Sequence, residues 1–147
     1  MAGRLTFAMV KPDAVSSGKG GAILAHIEKQ GFAIRALRMV RLSRTEAEAF
    51  YEIHRGRPFY AELVEFMSSG PVLALALEAA DAVVAWRTAI GATDPTEAAA
   101  GTVRKLFAES KGRNAVHGSD SDENALREIA FFFPERELAL LGASGTA

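Results

Sequence analysis

The sequence predicts an α/β (α+β) fold in which helices cover a sheet. Three observations support this prediction: apolar runs of strand length alternate with stretches of helical periodicity, Gly and Pro separate the two kinds of segment, and their order reads β-α-β-α-β-α. The chain of 147 residues is long enough to bury the core of one domain. We therefore expect a single domain over 1–147, in which 135–147 forms a C-terminal tail.

The predicted strands are apolar runs that end at turn-forming residues. The first run, L-T-F-A-M-V, stops before K-P-D, where the proline biases Lys11 toward an extended backbone. The second run alternates in part between apolar and polar positions, and the third, V-L-A-L-A-L, is apolar throughout, as expected of a buried strand. These runs place strands at 5–10, 32–42 and 72–77.

The predicted helices follow from helical periodicity and from their start and stop signals. Ser43 and Glu46 have the S-x-x-E spacing of a capping box, and Asp120 with Glu123 gives a second cap signal. Gly31 ends the first helix. We expect a loop at 18–21 and helices over about 23–30, 44–53, 60–67, 80–90 and 120–130.

The order of these elements fits one particular arrangement. A ferredoxin-like βαββαβ antiparallel sheet covered by helices accommodates the alternation of strands and helices. An additional helical hairpin then lies between the second and third predicted strands, over about 44–67.

The composition excludes several classes of protein. The formal net charge of −1 gives no overall basic field, so no specific nucleic acid is expected as a partner. The absence of cysteine excludes disulfides, thiolate metal sites and a cysteine nucleophile. The first residues lack the apolar region of a signal peptide, and no apolar run reaches the roughly 18 residues of a membrane helix. We therefore expect a cytoplasmic protein without a membrane partner.

One of the three histidines stands in an unusual segment. His117 lies in N-A-V-H-G-S-D, a run of turn-forming and hydrogen-bonding residues just after K-G-R. It could be a metal ligand, a general base or a nucleophile. A metal site needs more ligands at suitable spacing, and His26 and His54 fall on predicted helices without such partners. A general base needs a target, and the sequence names none clearly.

Basic residues cluster close to His117, between 104 and 113. Such a cluster is often a solvated face, but the paired donors of arginine suit phosphate oxygens, and the nearby histidine favours a phosphate site. The glycine-rich run at 18–21 lacks the spacing of a Walker loop and is better explained as a turn. The cluster consists of Arg104, Lys105, Lys111 and Arg113, opposed only by Glu109.

A nucleophilic role for His117 fits these residue types better than the other two roles. Imidazole is largely neutral near pH 7 and can attack phosphorus. A phosphorus–nitrogen bond is labile enough to return the phosphoryl group, whereas a serine ester would trap it. Neighbouring Arg and Lys side chains would neutralise the phosphoryl oxygens. Glu128, on the helix that begins near Asp122, could hold the other ring nitrogen.

Several motifs connect the chain to a known family. N-A-V-H-G-S-D-S is very similar to the active-site signature N-x-x-H-G-S-D of the nucleoside diphosphate kinases. T-F-A-M-V-K-P-D-A-V resembles the first strand and the lysine of that family, and F-Y-x-x-H-R-G-R-P-F-Y resembles its nucleotide-gripping helical hairpin. M-S-S-G-P-V-L-A-L-A-L, W-R-T-A-I-G-A-T-D-P and G-T-V-R follow in the family's order. The resemblance covers roughly 4–134.

The resemblance implies an enzyme that moves the γ-phosphoryl group of a nucleoside triphosphate, typically ATP, to a nucleoside diphosphate. The reaction would be ping-pong, through a phosphohistidine. His117 would be phosphorylated on Nδ1, Glu128 would hydrogen-bond the other ring nitrogen, and Ser119 would lie nearby. Lys11 would contact the phosphate end and the sugar hydroxyl of the nucleotide, and Tyr51 would lie beside the phosphoryl group.

Further residues would bind the nucleotide by the same resemblance. Phe59 would stack on the base, which explains a broad use of nucleotides because every base has a face to stack on. Asn114 would bind the ribose 3′-hydroxyl, and Arg87, Thr93 and Arg104 would bind the phosphates. The family uses Mg²⁺ carried on the phosphates, so we expect no dedicated protein metal site. It also forms homo-oligomers, either tetramers or hexamers.

The chain departs from the family pattern at a few positions. Lys105 and Leu106 follow Arg104, where the family usually has a small residue and Asp. Ala100 stands where Pro is frequent, and Lys111 stands where relatives often place an apolar residue against the base. None of these departures removes a direct phosphate or sugar contact. We therefore expect activity and leave base preference open.

Two other hypotheses compete with a kinase. A ferredoxin-like sheet can present aromatic side chains to single-stranded RNA, but the strands at 5–10 and 72–77 offer only Phe7. An inactive family relative could serve as a scaffold, but all the matched site residues are present, which argues against that role.

Overall fold

The computed structural model describes residues 3–140 and contains one antiparallel sheet of four strands. The order of the strands across the sheet is β2-β3-β1-β4, so β1 lies between β3 and β4. This order, with every neighbouring pair antiparallel, is the predicted ferredoxin-like arrangement. The strands are β1 (Leu5–Val10), β2 (Ala33–Arg41), β3 (Pro71–Glu78) and β4 (Val116–Gly118).

Helices connect the strands and cover both faces of the sheet. The predicted helical hairpin between the second and third strands is present as α3 and α4, joined through a short 3₁₀ helix at Glu52–His54. The α-helices of the described part of the chain are α1 (Pro12–Ser16), α2 (Gly20–Lys29), α3 (Arg44–Phe50), α4 (Tyr60–Met67), α5 (Ala82–Ile90), α6 (Val103–Phe107), α7 (Asp122–Phe132) and α8 (Glu135–Leu140).

The core forms two layers because side chains alternate along each strand. Ala74 and its alternate neighbours on β3 face a cluster built with α3, α4 and α7. Leu75 and its alternate neighbours face a second cluster built with α2 and α5, where Trp86 is 1% exposed. The central strands are therefore apolar on both faces, which explains the uninterrupted V-L-A-L-A-L run.

Several predicted boundaries are confirmed and others are wrong. Ser43 and Glu46 form the predicted capping box at the start of α3. The cap predicted at Asp120 is wrong by one residue, because the Ser121 side chain accepts the hydrogen bond from the Asn124 N–H at 3.1 Å. The loop predicted over 18–21 is also wrong in part, since α2 already begins at Gly20.

Short elements escaped the sequence analysis. Three residues of β4 are too few to show the alternation that reveals a strand, and β4 forms only because β1 pairs with it. The helices α1 and α6 have five residues each, which is also too short for a periodic signal. Part of the predicted tail, 135–147, forms α8, while 141–147 lie outside the described residues. The division of the chain into a single domain stays a prediction.

None of the helices within residues 3–140 is both long enough and apolar enough to span a membrane.

Candidate active site

His117 lies at the middle of β4, on the edge of the sheet. It is paired with Met9 of β1, and its carbonyl oxygen accepts a hydrogen bond from Trp86 Nε1 at 3.1 Å. The next residue is Gly118, where an added Cβ would lie 2.9 Å from Trp86 Cδ1. Glycine therefore permits the close approach of the indole that fixes the backbone of the histidine. The imidazole itself remains 18% exposed.

Glu128 of α7 and Ser119 hold one side of the imidazole. Glu128 Oε1 lies 3.0 Å from His117 Nε2, and the Ser119 hydroxyl donates to the same oxygen at 2.6 Å. An ionised carboxylate can only accept hydrogen bonds, so Nε2 must carry the proton in this contact. The lone pair of the neutral ring is then on Nδ1, which the carboxylate does not contact. This arrangement leaves Nδ1 as the nucleophilic atom.

Three aromatic rings surround the imidazole. The ring centroids of Phe7, Phe50 and Tyr51 lie 5.9, 5.6 and 6.2 Å from that of His117. Arg127 fixes the backbone that carries Phe50 and Tyr51, because its guanidinium donates to the carbonyl oxygens of Ala49 and Phe50 at 2.7 Å each. The end of α3, and Tyr51 with it, is thereby tied to the helix that carries Glu128.

The Tyr51 hydroxyl is buried and has no hydrogen-bond partner within residues 3–140. Burial raises the pKa of Tyr51 above its ordinary value, and the nearby Glu128 charge raises it further. The hydroxyl is therefore a protonated donor at any physiological pH, and no described residue accepts its hydrogen bond.

Lys11, at the end of β1, reaches the segment that precedes His117. Its Nζ donates to Asn114 Oδ1 at 2.9 Å, and the amide nitrogen of Asn114 donates to the Lys111 carbonyl at 3.0 Å. Burial lowers the pKa of Lys11 to about 8, the positive charge of Arg104 lowers it as well, and Asp13 opposes them. A half-buried ammonium of this kind gains strongly from an anionic ligand.

Arg104 also hydrogen-bonds the backbone around the site, which the sequence did not indicate. It is 9% exposed, and its guanidinium donates to the carbonyl oxygens of Gly91 (3.1 Å), Asn114 (3.3 Å) and Val116 (2.9 Å). Burial lowers its pKa to about 10, and the charge of Arg87 contributes. A guanidinium has more N–H groups than these three bonds use, so Arg104 can still present donors to a phosphate.

The remaining predicted site residues are exposed. Arg87 lies on α5, and Thr93 lies in the loop that follows it. Phe59 precedes α4, is 48% exposed and lies 5.3 Å from the His54 ring, centroid to centroid. Lys111 is exposed. Hydrogen bonds from Thr96 lower the pKa of Asp94, and the charge of Lys111 lowers it further.

The sequence analysis missed three residues that support the site. Trp86 and Arg127 hold the backbone around His117 and Tyr51, and Asp13 contacts the backbone at Ala115. The single tryptophan of the chain was a usable signal, because a lone Trp in an apolar helix is a frequent anchor. The contacts of Arg127 and Asp13 join residues far apart in the sequence, and no local pattern reports them.

The site combines a histidine, a carboxylate in contact with its Nε2 and a cluster of cations, on a ferredoxin-like sheet. Together the fold and the chemistry define the class of the protein, which is a phosphotransferase. Comparison with known proteins identifies the family. The model of the nucleoside diphosphate kinase family matches residues 4–138. The chain belongs to the nucleoside diphosphate kinase family.

Individual relatives agree with this assignment. The chain is 52% identical over 139 residues to a nucleoside diphosphate kinase of Sorangium cellulosum, covering 95% of this chain and 96% of that protein. It is 56% identical over 133 residues to one of Chlorobaculum parvum, covering 90% and 95% of the two chains. The family membership favours the enzyme over the RNA-binding module and the inactive scaffold.

Solved structures of the family have the same fold. The structure of the Aquifex aeolicus nucleoside diphosphate kinase superposes with a TM-score of 0.89 at 48% identity, covering 91% of this chain and 97% of that one. The Halobacterium salinarum enzyme, solved in complex with CDP, superposes with a TM-score of 0.86 at 39% identity, covering 92% and 90%.

Proposed function

We propose that the chain transfers the γ-phosphoryl group of a nucleoside triphosphate, typically ATP, reversibly to a nucleoside diphosphate through phospho-His117. The single observation that supports this most is the 3.0 Å contact between Glu128 Oε1 and His117 Nε2, because it leaves the Nδ1 lone pair for attack. The membership of the chain in the family and the CDP complex of the Halobacterium salinarum relative support nucleotides as the substrates.

The reaction takes place in two half-reactions. In the first, the Nδ1 lone pair of His117 forms a bond to the γ-phosphorus, and the bond from that phosphorus to the β,γ-bridging oxygen breaks. The nucleoside diphosphate leaves with the bonding electrons. In the second, a terminal β-phosphate oxygen of another nucleoside diphosphate attacks the same phosphorus, and the phosphorus–nitrogen bond breaks. The Glu128 carboxylate stabilises the positive charge that the ring acquires in between.

The charged and polar residues have separate roles in this mechanism. Lys11, Arg87 and Arg104 neutralise the phosphate oxygens as charge moves from the γ-phosphoryl group to the leaving diphosphate. The Tyr51 hydroxyl, which has no partner among the described residues, donates to the transferred group.

The remaining site residues bind the rest of the nucleotide. Thr93 contacts a phosphate, and Asn114 binds the ribose 3′-hydroxyl beside Lys11. Phe59 stacks on the base with its exposed face.

Mg²⁺ belongs to this proposal as part of the nucleotide substrate. Lys11, Arg87 and Arg104 are cations that suit phosphate oxygens rather than a metal ion. Among residues 3–140 there is no group of three or more His, Cys, Asp or Glu side chains that could hold a metal. Mg²⁺ bound to the β- and γ-phosphates would neutralise their charge, and the residues would bind the resulting complex.

We also infer that the chain forms a homo-oligomer, a tetramer or a hexamer. In the described sheet β2 pairs with β3 alone and forms an edge, where Leu37 is 42% and Met39 is 64% exposed. An exposed edge strand with apolar side chains favours pairing with another chain. Light scattering of the purified protein distinguishes the two assemblies. The cytoplasmic location stays a prediction.

Labelling of the protein with γ-³²P-ATP and Mg²⁺ tests the mechanism. We expect phosphate that is labile in acid and stable in base, and we expect it to leave when an unlabelled nucleoside diphosphate is added. His117→Asn should take up no label and should retain the fold by circular dichroism. His26→Asn, on α2 and outside the site, is the control and should be labelled like the wild type. Equal labelling of His117→Asn and the wild type would refute the proposal.

A further inference from the structure

A buried carboxylate next to the site has no role in the proposed mechanism. Asp13 follows Lys11 and Pro12 on α1 and is only 6% exposed. Its Oδ2 accepts a hydrogen bond from the backbone N–H of Ala115 at 3.0 Å, and its Oδ1 has no partner among the described residues. Burial of an incompletely paired carboxylate is unfavourable, so its presence here calls for a compensating benefit.

The residue that Asp13 contacts has an unusual backbone. Ala115 has a φ angle of 72°, in the left-handed region that a Cβ disfavours. Across it, the N–H of Val116 donates to the carbonyl oxygen of Asn114 at 2.8 Å. A bond between residues i+2 and i around a positive φ defines the rare and strained form of the γ-turn.

Hydrogen bonds with three residues, Asp13, Lys11 and Arg104, hold this γ-turn. Asp13 accepts from the Ala115 N–H, and the Lys11 N–H donates to the Ala115 carbonyl at 2.8 Å. Arg104 donates to the carbonyl oxygens of the two flanking residues, Asn114 at 3.3 Å and Val116 at 2.9 Å. A strained conformation persists only where its surroundings over-determine it, as they do here.

The γ-turn sets the position of two site residues. Before it, the Asn114 side chain turns back to accept from Lys11 Nζ at 2.9 Å. After it, the chain enters β4, where His117 pairs with Met9. Relaxation of Ala115 would therefore shift both the histidine and the asparagine relative to β1.

We propose that Asp13 is a positioning residue, which holds the strained γ-turn at Ala115 and so places His117 and Asn114 for phosphoryl transfer. This inference rests on the proposed function, because it assumes that His117 accepts the phosphoryl group. The Asp13 charge also helps to keep Lys11 protonated, since it opposes the burial that lowers the pKa of that lysine. Asp13 acts in both ways without touching the substrate.

A double substitution tests the route by which Asp13 acts. Asp13→Ala should lower kcat/KM at least about tenfold, because small displacements of reacting groups reduce rates strongly. Ala115→Gly removes the Cβ that disfavours the turn, so the same Asp13→Ala change should have a several-fold smaller effect in the Ala115→Gly background. An equal effect in both backgrounds, or a loss of less than about twofold in Asp13→Ala alone, would overturn the proposal.

A matched variant controls for the loss of a carboxylate. Asp122 at the start of α7 accepts from the backbone N–H of Gly3 at 3.0 Å, but it is exposed. Asp122→Ala should therefore keep nearly wild-type kcat/KM. Asp13→Asn keeps an oxygen that can accept from Ala115, so it should retain more activity than Asp13→Ala. If Asp13→Ala does not fold, Asp13→Asn takes its place in the double substitution. A loss in Asp13→Asn as large as in Asp13→Ala would count against positioning through this hydrogen bond.

The final extent of labelling separates this inference from the proposed function. Asp13→Ala should reach the same phosphate content per chain as the wild type after long incubation with Mg·ATP, but more slowly. If the wild type takes up no phosphate, the proposed function fails. If the wild type is labelled and Asp13→Ala is labelled at the same rate, only the positioning role fails.

Discussion

The two walls of the site differ in how much of their geometry exists before a ligand binds. The histidine wall (His117, Ser119 and Glu128) is held by internal contacts of 2.6 and 3.0 Å. The nucleotide wall, made of the residues proposed to bind the nucleotide (Phe59, Arg87 and Thr93), consists of side chains exposed to solvent. His117 lies on β4, Ser119 directly follows that strand, and Glu128 lies on α7. Phe59 belongs to the helical hairpin, Arg87 to α5 and Thr93 to the loop after α5.

This difference fits the roles that we propose for the two walls. Groups that stabilise developing charge act best when they are fixed in advance, because no energy is then spent on reorienting them during the reaction. Groups that hold the nucleotide must admit and release it, and loops supply such groups on a rigid scaffold. Substitutions in the histidine wall should therefore affect mainly kcat, and substitutions in the nucleotide wall should affect mainly KM.

Among the substitutions that keep His117, Glu128→Gln is expected to have the largest effect. The amide can still accept from Nε2 and Ser119, but it removes the negative charge that stabilises a charged imidazole. A hydrogen bond to a charged group contributes about 1.5–3 kcal/mol, so kcat should fall roughly 10- to 150-fold while KM changes little. Steady-state kinetics with ATP and a second nucleoside diphosphate measures both constants. Glu123→Gln, exposed on the same helix, is the control, and a comparable loss in that variant would contradict the explanation.

Lys11, which hydrogen-bonds Asn114 in the segment before His117, should give the activity a pH limit. Because burial lowers its pKa to about 8, Lys11 is charged below that pH and loses its proton above it. The value of kcat/KM should therefore fall as pH rises above about 8, by about tenfold for each further pH unit.

A guanidinium in place of the amine should remove this pH limit. Lys11→Arg should have lower activity at neutral pH, because the shape of the group differs, but the decline above its optimum should begin at a higher pH. Lys105→Arg, exposed on α6, should keep the wild-type profile. An unchanged alkaline limb in Lys11→Arg would assign that limb to another group.

Phe59→Ala examines the nucleotide wall and should have a smaller effect. Stacking on a base is worth about 1–3 kcal/mol, and the lower end applies to a ring that is 48% exposed, so KM should rise about fivefold with little change in kcat. Ile53→Ala, in the same hairpin and 69% exposed, is the control for loss of exposed apolar surface. A larger fall in kcat than rise in KM would show that the two walls are not separate in function.

The sequence predicted the histidine wall better than the network behind it. His117 and Glu128 are readable because their residue types and short separation on adjacent elements imply the chemistry. The contacts of Asp13 with Ala115 and of Arg127 with Phe50 span 102 and 77 positions, so only the folded chain brings them together. The strand β4 was missed for the same reason, since its pairing with β1 decides its conformation.

The assignment of Arg104 to the phosphates stays a prediction, and the structure shows a second role for this residue. A cation close to a phosphate site suggests ligand binding, but its three bonds to carbonyl oxygens also make it part of the framework. Residue type alone does not separate these roles, because the same N–H groups serve a phosphate or a carbonyl.

Tyr51→Phe should change the free energy of unfolding very little. It tests whether the Tyr51 hydroxyl is held ready for the transferred group before a nucleotide binds. Removal of a buried hydroxyl that has no partner within residues 3–140 should leave the free energy of unfolding unchanged or raise it by up to about 1 kcal/mol. Tyr60→Phe is the matched control, because the Tyr60 hydroxyl donates to the Glu48 carbonyl at 3.2 Å and its loss should lower stability by about 1 kcal/mol. Urea titrations of both variants supply these values. If kcat of Tyr51→Phe falls and its stability does not, the hydroxyl finds its partner only on the transferred phosphoryl group. A stability loss equal to that of Tyr60→Phe would instead mean that the hydroxyl is already paired in the free enzyme.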